Sequence, residues 1–251
     1  MTSARAASRR GCHGRSSHVY IAWVLAGTLS TLSLLPARAA DGAGARVDGV
    51  TSALREDTRS RDDVRATSAV RVGVRVFALE DDEHPAVSRA WFHERLGHAN
   101  RLFDVIGVRF EVASWESLRV ANAPVDTRAQ RDALGAAMNH EGQVDVYLVP
   151  RLTDVDAPPA QIRGVHWRLR RDTSRRWIIM SAISGPMVLA HELGHFFSLP
   201  HGAEPTSIMN KRPRRNPPWE QRVFTPREQT AMVTALKRML DSGRLTPREA
   251  R

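Results

Sequence analysis

The stretch His191-Glu192-Leu193-Gly194-His195-Phe196-Phe197-Ser198-Leu199-Pro200-His201 decides how the rest of the chain is read. His191 and His195 are four residues apart. On a helix that spacing puts both imidazoles on one face, one turn apart, which suits two ligands of a single metal ion. Glu192 follows the first histidine, so its carboxylate can lie beside a water at that ion without being a ligand. His201 comes six residues after His195. It can add a third nitrogen if the helix ends and the chain turns back. Three neutral imidazoles around one ion point to zinc with an open fourth position, whereas a structural zinc is closed by four protein ligands. Calcium is not indicated, because no clear acidic loop is present and Asp81-Asp82-Glu83 reads as a solvated turn.

Upstream, Ser184-Gly185-Pro186 stops a strand and opens the helix, with Pro at the first helical position, and the helix runs from Met187 to about Phe197. Trp177-Ile178-Ile179-Met180 is a continuous apolar run suited to a central strand. Gly164-Val165-His166-Trp167 reads as a short edge strand, and Val144 to Val149 (VDVYLV) as a strand ended by Pro150. Val70, Val72, Val74 and Val76 alternate with Arg71, Gly73 and Arg75, which predicts a strand with one buried face. Residues 86–106 carry apolar groups at spacings of three and four, hence an amphipathic helix, and Val108 to Val112 alternates again. Downstream, Thr225-Pro226-Arg227-Glu228 is a capping-box pattern, Met232, Leu236, Met239 and Leu240 give a buried stripe, and Gly243 is the stop. The order predicts an α+β fold: one mixed, twisted sheet of about five strands with a backing helix, the histidine-bearing helix and a C-terminal helix.

The chain has 251 residues with 37 Lys plus Arg, 27 Asp plus Glu and one cysteine, Cys12. One cysteine excludes an intramolecular disulfide framework and a Cys-based zinc site. The formal charge of +10 is unevenly placed. Residues 1–18 hold four arginines and no acid, Val19 to Leu35 is apolar, and Pro36-Ala37-Arg38-Ala39 holds a small-residue pattern. That order describes a signal peptide over 1–39, with cleavage near Ala39 and a secreted or periplasmic product; the alternative is an uncleaved membrane anchor. Without residues 1–39 the chain loses five arginines and no acid, so its charge falls to 32 − 27 = +5. A nucleic-acid partner loses most of its support, and no stable membrane insertion is expected after cleavage. The strong bias to Arg over Lys suggests GC-rich, bacterial coding. Residues 40–68 read as a flexible linker or short pro-segment, 69–243 as the catalytic domain and 244–251 as a C-terminal tail. Oligomeric state is not readable from these features.

HELGHFFSLPH together with Ser207-Ile208-Met209-Asn210 resembles the metzincin zinc endopeptidases, and most closely the matrixin-like members. The resemblance spans roughly residues 69–241 and is specific over 187–210. It implies one catalytic Zn2+ on His191, His195 and His201, with Glu192 as general base. It also implies Met209 as the Met-turn methionine, Gly194 as the motif's small residue, and a protein or peptide substrate. It favours Gly164, Val165, His166 and Trp167 as a substrate-binding edge strand, by β-augmentation. One departure is Ser198, where the family has a left-handed Gly. Two other classes compete: a catalytically silent binding protein of the same fold, and a basic binder of anionic polymers. Lys211 to Trp219 (KRPRRNPPW) follows the Met-turn pattern and raises the idea of acidic substrates.

Overall fold

A computed structural model describes residues 69–136, 142–211 and 217–249, all within the unit Asp48–Arg251. The expected signal segment and linker, His140 and most of the 211–219 stretch lie outside the described residues.

The sheet contains β1 (Val70–Glu80), β2 (Val108–Arg119), β3 (Val144–Val149), β4 (Gly164–Leu169) and β5 (Asp172–Ser181), in the order β2-β1-β3-β5-β4. Four strands are parallel and β4 runs antiparallel to β5 at one edge. The chain connections account for this pattern. A parallel pair needs a long crossover, whereas β4 and β5 are separated only by Arg170-Arg171, which suffices for a hairpin. The mixed α+β architecture expected from the element order is the one found.

Alternation predicted one buried face for β1, and the strand in fact buries both. Val72, Val74, Val76 and Ala78 belong to the larger core, while Phe77 and Leu79 join Tyr147, Trp177 and Ile179 in a second one. A strand flanked by neighbours and covered on both sides reads as a longer apolar run, and the sequence beyond Val76 (Phe77-Ala78-Leu79) does so. The charge that this arrangement encloses, Arg75, is paired with Asp145.

Helix α1 (Arg89–Phe103) starts inside the predicted 86–106 span because Ser88 caps it, its Oγ accepting from Trp91 N at 3.2 Å. The end of that span is a 3-10 turn, Asp104–Ile106, closed by Gly107 at φ 67°. A second helix, α2 (Arg128–Ala136), was not expected. Its short sequence RAQRDALGA has few apolar groups, and polar bonds to distant residues hold it. Arg131 donates to Thr153 O at 2.6 Å, Trp167 Nε1 donates to Asp132 at 2.7 Å, and Tyr147 OH donates to Leu134 O at 2.6 Å.

The histidine-bearing helix, α3, spans Val188–Phe196. Pro186 does not occupy its first position as expected. It lies in a turn in which Val188 N donates to Gly185 O at 3.2 Å, and Met187 is the capping residue. Arg95 of α1 fixes that turn from behind, donating from Nε at 3.2 Å and Nη2 at 2.9 Å to Ser184 O. The C-terminal helix, α4 (Pro226–Asp241), carries the predicted capping box and Pro start, and it buries Met232, Ala235, Leu236 and Met239. Beyond Gly243, at φ 70°, the chain does not leave the body. Leu245 is buried and Arg248 N donates to Arg71 O at 2.9 Å, so the packed part extends past the predicted boundary.

Helix α3 ends in a Schellman arrangement: Leu199 N donates to Gly194 O at 3.0 Å and Ser198 N to His195 O at 2.9 Å. The motif requires a left-handed residue, and Ser198 is at φ 69°. Ser198 is the only non-glycine residue with positive φ among the described residues. Left-handed geometry costs an L-residue roughly 1–2 kcal/mol, and glycine recovers this less about 0.4–1 kcal/mol of extra chain entropy when unfolded. Ser198→Gly is therefore expected to raise stability by about 0.5–1 kcal/mol, read as a higher urea midpoint at unchanged m-value. An unchanged or lower midpoint would show that the serine is not strained.

Candidate metal centre

Helix α3 places His191 and His195 on one face, with ring centroids 4.7 Å apart. The left-handed turn at Ser198 reverses the chain, and Leu199, Pro200 and His201 return beneath the helix end. The His201 Nε2 then lies 3.3 Å from His191 Nε2 and 3.1 Å from His195 Nε2. Ligand atoms of the three residues lie within 4.8 Å of one another, the only such cluster among the described residues.

The outward nitrogens show what these inner nitrogens are. His191 Nδ1 is 2.8 Å from Ile208 O, and His195 Nδ1 is 2.7 Å from Leu199 O. A carbonyl only accepts, so both Nδ1 atoms carry the proton and both Nε2 atoms present lone pairs inward. Burial pushes all three histidines below the usual imidazole range, with the neighbouring histidines adding to the effect at each. Lone pairs on neutral imidazoles converge on one point, where a proton on His201 would have to be shared between two acceptors. Tetrahedral nitrogens about 2.0–2.1 Å from zinc are about 3.3–3.4 Å from each other, and the observed separations fall at or just below that. The donor set and its spacing fit a zinc ion.

Glu192, next to His191 on the helix, reaches the sheet edge. Its side chain is buried, and its Oε2 accepts from His166 N of β4 at 2.7 Å. Burial pushes its carboxyl up to about 8, against the opposing pull of that N–H. The close approach of helix and strand depends on Gly164. A Cβ there would lie 2.7 Å from Val188 Cγ1 and 3.2 Å from Glu192 Cγ and Oε1. The expected edge strand thus divides. Gly164 and the His166 backbone face α3, while Val165 and Trp167 pack on the second core, Trp167 bonded to Asp132 of α2. The His166 imidazole lies against Phe196 at 5.8 Å between ring centroids and is no part of the triad. Burial, with Arg176 and Arg168 nearby, holds it down at about 3.

Met209 is fully buried beneath α3. A Cβ on Gly194 would come within 2.5 Å of its sulfur, so the glycine makes room for the methionine. The turn that carries Met209 also supplies Ile208 O to His191. It is braced by residues that no spacing rule singled out: Met209 N donates to Ser207 Oγ at 2.9 Å, and Ser207 Oγ donates to Glu228 Oε1 at 2.7 Å. Glu228 Oε2 accepts from Thr225 N at 2.8 Å, so the capping box of α4 also secures this turn. The capping pattern was legible in the sequence; its second use was not. A cavity of about 650 Å3 opens beside His191 and Glu192.

No family model matches the chain, and no curated protein matches it in sequence. Solved structures to which the chain shows similarity include metalloproteinase-II from Bacteroides fragilis (11% identity, TM-score 0.46, covering 67% of this chain and 54% of that one). Others are archaemetzincin from Methanopyrus kandleri (15%, TM-score 0.41, 68% and 97%) and a zinc-dependent peptidase from Methanocorpusculum labreanum (16%, TM-score 0.35, 64% and 100%). The chain spans about half the length of the Bacteroides fragilis protein.

The close approach of β4 and α3 is testable by a double-mutant cycle. Gly164→Ala is expected to cost about 1–3 kcal/mol of stability. Val188→Ala made in the same chain should offset part of that cost, giving a coupling of at least about 0.5 kcal/mol in urea unfolding. Strict additivity of the two substitutions would contradict the contact.

Proposed function

We propose that this chain is a zinc metallopeptidase of the metzincin type, matrixin-like in its motif, that hydrolyses peptide bonds within protein or peptide chains. The single observation that carries this reading is the convergence of three inward-facing Nε2 atoms, with a buried carboxylate on the adjoining residue. His191, His195 and His201 would hold the ion, with Met209 supporting them from below. A divalent ion in that place would supply Lewis acidity, polarising the scissile carbonyl and making a water more acidic.

Glu192 is the general base. It accepts a proton from the attacking water and returns it to the departing amine. Its bond to His166 N holds the carboxylate against β4, on the wall of the cavity that His191 also lines, and leaves Oε1 turned toward Gly164. The outer edge of β4, apart from the His166 N–H that Glu192 occupies, receives an extended substrate by main-chain pairing, which brings the bond to be cut to Glu192. Export directed by residues 1–39, giving a secreted or periplasmic enzyme with its catalytic domain in the 69–243 span, belongs to the same proposal.

Ser198 raised the alternative of a silent relative. The turn it forms sets the Leu199 carbonyl on His195 and returns His201 to the triad, so the serine does not disable the geometry. The purified chain is expected to cleave casein, to stop on chelation and to recover with Zn2+. Glu192→Gln should keep the metal and lose at least about 100-fold in rate. Cleavage that survives chelation, or a Glu192→Gln variant as fast as the wild type, would refute the assignment.

A further inference from the structure

We propose that the cavity beside Glu192 selects an acidic substrate side chain next to the bond that is cut. This rests on the peptidase reading and adds a substrate class to it. The cavity is bounded by His191 and Glu192 on one side, so the substrate residue entering it flanks the reacting carbonyl. Its walls combine an apolar lining, including Met187 and Ile208, with three cationic side chains: Arg163, Lys211 and Arg222. Among the described residues, Glu192 is the only carboxylate on the wall, and the proposed chemistry already uses it.

The three cations come from separate elements. Arg163 immediately precedes β4, and its main-chain oxygen accepts from Ser181 N at 3.0 Å and from Ser184 Oγ, which anchors the base of its side chain. Lys211 follows the Met209 turn and lines the same cavity. Arg222 is tethered through Nη2 to Pro217 O at 3.1 Å. Arg163 and Lys211 are exposed, and neither has an acidic partner among the described residues.

Cations gathered on the rim of a concave, partly apolar cavity produce a focused positive potential. An incoming Glu can lay its methylenes on the apolar lining and its carboxylate among the cations. A Lys or Arg in the same place meets like charge, which penalises it without any clash. Each pairing is solvent-exposed, so the effect is moderate and sensitive to salt.

The test is a cleavage-site profile of a synthetic peptide library, run on the zinc-loaded wild type and on the double variant Arg163→Glu/Lys211→Glu, with zinc content and folding checked for both. The expected result is about three- to tenfold enrichment of Glu and Asp at one position flanking the cut, shrinking in high salt, and replaced by Lys and Arg in the variant. Cleavage without acidic enrichment, or with enrichment that the variant leaves intact, overturns the selectivity and leaves the peptidase reading standing. No cleavage by either zinc-loaded protein overturns the peptidase reading, and this proposal with it.

Discussion

Two main-chain carbonyls, those of Ile208 and Leu199, control the chemistry of this molecule. Each accepts the outer N–H of a histidine, and in doing so sets the tautomer and turns an Nε2 lone pair inward. A helix alone would place His191 and His195 on one face but would leave their rings free to rotate and to protonate. The carbonyls come from two turns, one at the end of α3 and one around Met209. Those turns therefore govern the site as much as the helix does. The first depends on Ser198 in a left-handed conformation, and the second on the Ser207–Glu228 bond to the cap of α4. Secondary structure at two distant places along the chain is thereby coupled to one triad of nitrogens.

Close packing supplies the second requirement. Helix α3 is wedged between the edge strand and the Met209 turn, and it fits because two contact residues have no side chain. Gly164 lets the helix approach β4 until Glu192 reaches a backbone N–H, and Gly194 lets the Met209 sulfur come up beneath the triad. The carboxylate is held away from bulk water, where its basicity is raised. His191 and His195 on the same helix are half-buried, and His201 beyond its end is exposed. One short helix thus sets a buried carboxyl beside a less buried imidazole across a single residue step.

Much of this was legible in the sequence, for physical reasons that vary by element. The four-residue spacing of His191 and His195, the alternating valines of β1 and the capping box at Thr225 are local patterns, and local patterns survive folding. The mixed sheet followed from element order. Helix α2 was not legible, because Arg131, Asp132 and Leu134 are secured by bonds to residues far along the chain rather than by an apolar stripe. The burial of both faces of β1 was hidden because alternation in its first half masked the apolar run in its second. Pro186 matched a helix-start rule but was claimed by the preceding turn, which Arg95 holds from α1. The carbonyls of Ile208 and Leu199 leave no residue-type signal, since any residue supplies a carbonyl and only the backbone path decides where it points. That Gly164 meets α3 while Trp167 packs on the second core likewise depends on how β4 sits in the fold.

Three neutral imidazoles around one zinc ion have a distinctive spectroscopic signature. X-ray absorption at the zinc edge, with elemental analysis of the same sample, tests for it most directly. The expected result is one zinc per chain, with three nitrogen neighbours at about 2.0–2.1 Å, imidazole scattering in the outer shells and a further light-atom neighbour. A sub-stoichiometric metal content, or a first shell lacking three imidazole nitrogens, would contradict it.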